Sequence, residues 1–203
     1  MLNFIIFVVG EVMIKEREKL IDVFLSMNTK LNLSAIRDKE WVYYKHILDS
    51  LELTKLIQLT DFSSLCDIGT GWWFPLLPLA LSYPWLSCTG IDARRKKIDA
   101  ITTMIGQLWI KNCTALWSRS EDHHRQYDIV TARAVAYADH IIARSLPLCK
   151  KNGYICLYKQ SDPIERAEII KQCKQHSLVL EQEHHYSLFA WDIQRVIYIL
   201  HKQ

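Results

Sequence analysis

Asp67, Gly69 and Gly71, in the stretch "DIGTG", and Asp92, 25 residues further on, have the types and spacing to do chemistry in this 203-residue chain. Paired glycines let a backbone pass close to a ligand and take dihedrals that side chains resist. A carboxylate ending the next strand is placed to accept hydrogen bonds from both hydroxyls of a ribose. The pattern therefore points to a nucleotide-like cofactor, but not to the dinucleotide fingerprint G-x-G-x-x-G, because Phe74 stands where the third glycine belongs. Directly after the turn come Trp72 and Trp73, the bulkiest side chains available. Metal chemistry has no support. The six cysteines (Cys66, Cys88, Cys113, Cys149, Cys156 and Cys173) form no C-x-x-C pair and no zinc-like spacing, so buried free thiols in a reducing compartment are expected. The "HHR" at 123–125 and "HH" at 184–185 also lack partners at metal spacing and read as solvated loops.

The elements that must position these residues follow from periodicity. Residues 11–33 carry Leu20, Val23, Phe24, Met27 and Leu31 at helical spacing, and a second helix after Asp38 repeats Ile47, Leu48, Leu51 and Leu56. The pattern then alternates. "SSLCDI" reads as a buried strand entering the glycine turn, "FPLLPLALS" as a helix start with Pro75 and Pro78 in its first turn, and "LSCTGID" as a second strand ending in Asp92. "ARRKKIDAITTMIGQL" is helical, "NCTALWS" and "QYDIVTARA" are strands, and "YADHIIARSLPLCKK" is a helix expected to stop near Gly153. "GYICLYKQ" is a strand, "PIERAEIIKQCKQH" a helix opened by proline, and residues 178–202 two strands forming a hairpin. Such alternation predicts an α/β fold, a mostly parallel sheet covered on both faces. One domain is expected over 1–203, with a helical extension at 1–60 and the cofactor-binding core at 61–203.

Composition narrows the partners little. Half the residues are hydrophobic, and 25 basic against 22 acidic residues leave a net charge of +3, so any nucleic-acid surface must arise from local clustering. The opening "MLNFIIFVVGEVMI" is too short to span a bilayer and meets Glu11 at once. It is read as a packed segment or as a start codon placed too early, with no membrane partner.

The form D-x-G-x-G, with a carboxylate before the first glycine, resembles S-adenosylmethionine (SAM) enzymes. The preceding region is more specific. "NTKLNLSAIRDKEWVYYKHILDSL", residues 28–51, is similar to the signature of the RsmG (GidB) family, an N-L-T-x-[IV]-R-D segment followed by [RK]-H-x-x-D-S. Asn32, Leu33, Arg37, Asp38, Lys45, His46, Asp49 and Ser50 match, with Ser34 in place of threonine. The resemblance continues through "DIGTG", the acidic strand end at Asp92, "SRSED", "TARA" and "LYK", over residues 20 to 200. It implies a Rossmann-like class I SAM-dependent methyltransferase, with a seven-stranded, mostly parallel sheet, an antiparallel C-terminal hairpin strand and N-terminal helices. It also implies a cytoplasmic, monomeric enzyme that methylates guanine N7 in 16S ribosomal RNA, free or in the small subunit. By matching positions, Gly69 and Phe74 would line the methionine and ribose side of SAM within the turn that Gly71 completes and Asp67 supports. Asp92 would hold the ribose, Ser120 and Glu121 the adenine, and Arg133 the cofactor near the substrate face. The residues placed near the substrate are Asn32, Arg37, His46, Arg133 and Lys159.

Plainer roles stay open. His46 could be a hydrogen-bonded structural histidine, Asp38 an N-cap beside Arg37, and Arg94 and Arg95 simply solvated. The sequence also departs from the family pattern, with Trp73, Leu76, Trp109 and Gln160 where glycine is usual. Tryptophan outnumbers glycine seven to six, whereas ordinary usage gives about 14 glycines. Two explanations stand: an altered pocket that accommodates the tryptophans, or UGA codons that the source organism reads as glycine. The first leaves room for an RNA-binding protein without catalysis, and a SAM-dependent small-molecule methyltransferase is a further alternative.

Overall fold

The computed structural model describes residues 2–32, 34–71, 73–133, 136–188 and 193–203, with the side chains of 2–14 and 193 excepted; Leu33 and Trp72 lie outside the described residues. Helix α1 (Leu2–Leu31) is followed by a broken helical stretch: α2 (Lys39–Val42), a π-turn (Tyr43–Leu48), α3 (Asp49–Leu51) and a 3-10 turn (Glu52–Lys55). Asp38 starts it as expected, its carboxylate accepting from the backbone N–H groups of Glu40 and Trp41. The core then runs β1 (Ser64–Ile68), α4 (Leu76–Ser82), β2 (Ser87–Asp92), α5 (Arg95–Leu108), β3 (Cys113–Trp117), β4 (Tyr127–Arg133), α6 (Ala138–Ser145), β5 (Cys149–Gln160), α7 (Pro163–Gln175), β6 (Leu178–Leu188) and β7 (Ile193–Lys202).

These form one seven-stranded sheet in the order β3-β2-β1-β4-β5-β7-β6. The first five pair in parallel, and β7 lies antiparallel between β5 and β6. All five residues of β1 are buried, as a central strand covered on both faces requires. One face carries α1, α4 and α5 over a core that includes Leu20, Phe24, Ile47, Leu76 and Met104. The other is covered by α6 and α7, with Ile141, Ile142 and Ile169 packed on Cys66, Val130 and Leu157. The strand order reverses at β1, between β2 and β4, and a crevice must open there at the carboxyl ends of the strands.

One boundary differs from the sequence expectation. Helix α6 stops at Ser145 rather than near Gly153, and β5 already begins at Cys149. Pro147 cannot donate a helical hydrogen bond, and Cys149 pairs with Tyr127 before the register shifts so that Tyr154 faces Ile129. The surplus residues bulge around Asn152, at φ 60°. Gly153 must stay small there, because a Cβ would stand 2.7 Å from the Asp128 carbonyl oxygen.

The tryptophans at glycine positions take glycine-like backbone. Trp73 has φ 70° and Trp109 φ 57°. Trp109 follows α5 as its left-handed cap, with its N–H bonded to the Gly106 carbonyl and the Ile110 N–H to the Ile105 carbonyl, the pairing that ends helices at glycine. Its side chain is 71% exposed, whereas Trp73 is fully buried and packs edge-on against Phe24 at 5.2 Å. Leu76 has a local compensation: it covers Gly90, where a Cβ would meet Leu76 Cδ2 at 2.5 Å.

Candidate active site

At the crevice a cavity of about 490 Å³ is lined by Gly69, Asp92, Lys97, Ser120, Glu121 and Arg133, a volume suited to a small ligand. The glycine turn forms one wall. Gly69 sits at φ 66°, and its N–H and that of Thr70 donate to the Ile91 carbonyl, fixing the turn against the end of β2. A Cβ on Gly71 would stand 2.7 Å from Asp92 Oδ2 and collide with the Lys97 amine. Asp92 Oδ1 accepts from the Arg94 N–H at 2.8 Å, while Oδ2 lies 3.9 Å from Lys97 Nζ. A ribose diol fits this donor set, an oriented carboxylate beside a cation. At the far end Ser120 donates to Glu121 at 2.8 Å, and Arg144 binds its other oxygen at 3.0 Å. Hydrogen bonds from its own backbone N–H and from Ser120, with the Arg144 charge, hold Glu121 below the usual carboxylate range.

Asp67 lies behind this wall. Register places it beside Thr131, whose hydroxyl donates to Oδ1 at 2.7 Å, and Oδ2 has no partner among the described residues. Burial outweighs that hydrogen bond and pushes the carboxyl up to about 7.

Arg133 joins the cavity to a buried cluster. Its guanidinium contacts Asp49 at 3.0 Å, the Lys45 carbonyl at 3.1 Å and His46 Nδ1 at 2.8 Å. The π-turn opens the helix so that the Lys45 carbonyl can accept from it. Asp49 is wholly buried and also holds Arg195, at 3.3 Å, and the Tyr186 hydroxyl, at 2.6 Å. His46 Nδ1 meets two groups, the Arg133 guanidinium, which only donates, and the Lys45 carbonyl oxygen at 3.1 Å, which only accepts. Burial and the Arg133 charge lower His46 to about 3, so the ring is neutral. It stacks on Phe74 at 4.6 Å, and its Nε2 is buried without a partner among the described residues.

The structure thus brings Gly69, Asp92, Ser120, Glu121 and Arg133 to one cavity, with Gly71 and Asp67 shaping its wall. Phe74 is not on that wall; it packs among His46, Phe24 and Arg133. Trp73 is not there either, so its ring does not fill the cavity. Asn32 and Arg37 bond each other at 2.8 Å on the exposed surface. Lys159 binds Glu165 and the Ala136 carbonyl and lines a second cavity at the end of β5. His184, read as solvated, lies in β6 with Nε2 3.1 Å from Glu52. Sequence reasoning gave no role to Asp49, although it stands in the "HILDS" match, nor to Lys97 and Arg144. For Arg195 no signal existed.

The sheet order, the glycine turn and the carboxylate at the end of β2 define a class I SAM-dependent methyltransferase fold. Magnesium protoporphyrin IX methyltransferase from Synechocystis, solved with SAM, superposes with a TM-score of 0.63 at 11% identity over 81% of this chain and 83% of that one. The N-methyltransferase NodS from Bradyrhizobium japonicum gives 0.56 at 13% over 75% and 93%. The model of the GidB family, rRNA small subunit methyltransferase G, matches residues 13–191, and the chain belongs to that family. Among curated relatives, ribosomal RNA small subunit methyltransferase G of Lachnoclostridium phytofermentans is 35% identical over 89% of this chain and 78% of its own length. The Bacillus licheniformis protein of the same name is 34% identical over 87% and 77%.

Proposed function

We propose that this protein transfers a methyl group from SAM to guanine N7 in small-subunit ribosomal RNA, acting as a monomer in the cytoplasm, the helices of 1–60 and the core of 61–203 working as one domain. The observation that carries the cofactor is the cavity in which the left-handed Gly69 turn faces the Asp92 carboxylate. Bound there, SAM supplies a methyl group already activated by its sulfonium. Asp92 would hold the ribose, Ser120 and Glu121 the adenine, and Gly69 the backbone approach. Guanine N7 carries its lone pair in the neutral base, so no residue has to remove a proton before attack, and orientation is the main demand. The protein's groups agree with that demand. His46 is neutral, buried and committed to Arg133, which makes it a positioning residue for the Arg133 wall rather than a base. Arg133, held from the Asp49 side, presents a fixed cation where cofactor and substrate meet.

The test is calorimetric titration of SAM, followed by transfer of labelled methyl groups to unmodified 16S rRNA and to small subunits. Borohydride and aniline scission then locates N7-methylguanine, and light scattering gives the mass. Incorporation with scission at one guanine is expected. Incorporation without scission overturns the N7 assignment, and failure to bind SAM overturns the cofactor site.

No helix among the described residues is long and apolar enough to cross a membrane.

A further inference from the structure

Trp117 ends β3, the edge strand of the sheet, and in register faces Asp92, whose carboxylate lies on the cavity. Its indole is 60% exposed. A large aromatic left this open without a partner forgoes the free energy its burial would gain. The ring is nevertheless held in place. Its Nε1–H donates to the Ala93 carbonyl at 3.0 Å, and the Arg95 guanidinium lies over its face, 5.3 Å from the centroid. Trp117 does not line the cofactor cavity, so its exposed surface faces outward beside it.

The surroundings are cationic. Arg94, Arg95, Lys96 and Arg119 are all exposed, and none forms an ion pair among the described residues; Arg94 and Arg119 stand at the rim shared with the cofactor cavity, which they also line. The first turn of α5 contains no acidic residue. A fixed aromatic face with a stacked guanidinium and unneutralised cations around it is complementary to unpaired nucleotides, whose bases stack and whose phosphates need countercharge. An acidic protein surface would use the cations but not the ring.

We propose that Trp117 and Arg95 form a stacking platform for an unpaired base of the substrate RNA, a base other than the methylated guanine, with Arg94, Lys96 and Arg119 on the adjoining phosphates. The inference rests on the RNA methyltransferase reading. It gives the RNA a second fixed point beside the cofactor cavity, on the β3 edge.

The experiment compares Trp117→Ala, Trp117→Phe and Lys96→Gln with the parent protein. It measures the Kd for unmodified 16S rRNA at several salt concentrations, the Kd for SAM by calorimetry, and the thermal midpoint. Stacking on an aromatic contributes about 1–3 kcal/mol per base, which corresponds to roughly a 5- to 150-fold change in Kd. Trp117→Ala is expected to weaken RNA binding at least fivefold with SAM affinity unchanged. Trp117→Phe, which keeps a stacking face, should stay within about threefold of the parent, and Lys96→Gln should reduce the salt dependence by about one phosphate contact. RNA affinity within twofold of the parent for Trp117→Ala overturns the platform. So does an equal loss in the Ala and Phe variants, or a parallel loss of SAM affinity, since each assigns Trp117 to local structure. A parent protein that binds SAM but no RNA removes the platform and the rRNA reading together, whereas a parent that methylates rRNA with Trp117→Ala unaffected removes the platform alone.

Discussion

Replacing Trp109 by glycine should stabilise the protein, although it removes the largest side chain. Trp109 sits at φ 57°, ψ 32° after α5, a conformation that costs a non-glycine residue about 1–2 kcal/mol. The two hydrogen bonds that close the helix there come from backbone N–H groups and survive the change. The ring is 71% exposed, with Lys111 Nζ 5.5 Å from its centroid, so little contact is lost. Against the relief stands the greater freedom of glycine in the unfolded chain, about 0.4–1 kcal/mol. The net gain is about 0.5–1 kcal/mol, or a rise of about 1–4 °C in Tm for a chain of this size. Trp73 provides the control. Its φ of 70° is equally unfavourable, but its ring is fully buried against Phe24. Loss of a buried tryptophan costs about 3–5 kcal/mol, so Trp73→Gly should lower Tm. Scanning calorimetry of the two variants should therefore show shifts of opposite sign at similar dihedrals. A fall in Tm for Trp109→Gly would refute the assignment of strain to that cap.

The recoding explanation requires UGA at codons 73 and 109 of the source gene, and UGG at both would sink it. Asp92→Asn should weaken SAM binding at least tenfold by calorimetry, since hydrogen bonds to a charged acceptor contribute about 1.5–3 kcal/mol; unchanged affinity would remove Asp92 from the ribose site. Asp49→Ala leaves Arg133, Arg195 and Tyr186 without their shared acceptor and should cost about 3–5 kcal/mol in urea unfolding, so a loss below 1 kcal/mol would argue against the cluster. The pH profile carries a signed test. His46 stays neutral in the folded state down to about 3 but takes a proton below 6.5 when unfolded, so its contribution to stability rises with pH between those values. Asp67 keeps its proton up to about 7 when folded and loses it above 3.8 when unfolded, so its contribution falls with rising pH. Asp67→Asn removes the second and leaves the first, and its stability should climb with pH more steeply than the parent's from about 4 to 6.5.

Local patterns carried the sequence reading furthest. The cap at Asp38, the proline that opens α7, the alternation of strands and helices, and the turn from Gly69 to Asp92 depend on residues close in the chain, and local pattern exposes them. What escaped depends on distant partners. The start of β5 at Cys149 is set by pairing with Tyr127, and no helical signal in "LPLCKK" reports that neighbour. Lys159 reads as an available cation until Glu165 is found beside it. Asp49 looks like one more helical carboxylate until Arg195, 146 positions later, arrives at its side.

That separation has a consequence for how the protein is made. Strand β7 follows β6 in the chain but lies inside the sheet, between β5 and β6. Asp49 leaves the ribosome early, and its two arginine partners, on β4 and β7, emerge much later. Elongation at about 5–20 residues per second separates the first from the last by seconds. Until β7 inserts, Asp49 lacks Arg195 and Arg133 must take its position without that neighbour. The cavity wall is therefore completed only once β7 has been made, so a nascent chain is not expected to hold its cofactor before β7 has docked.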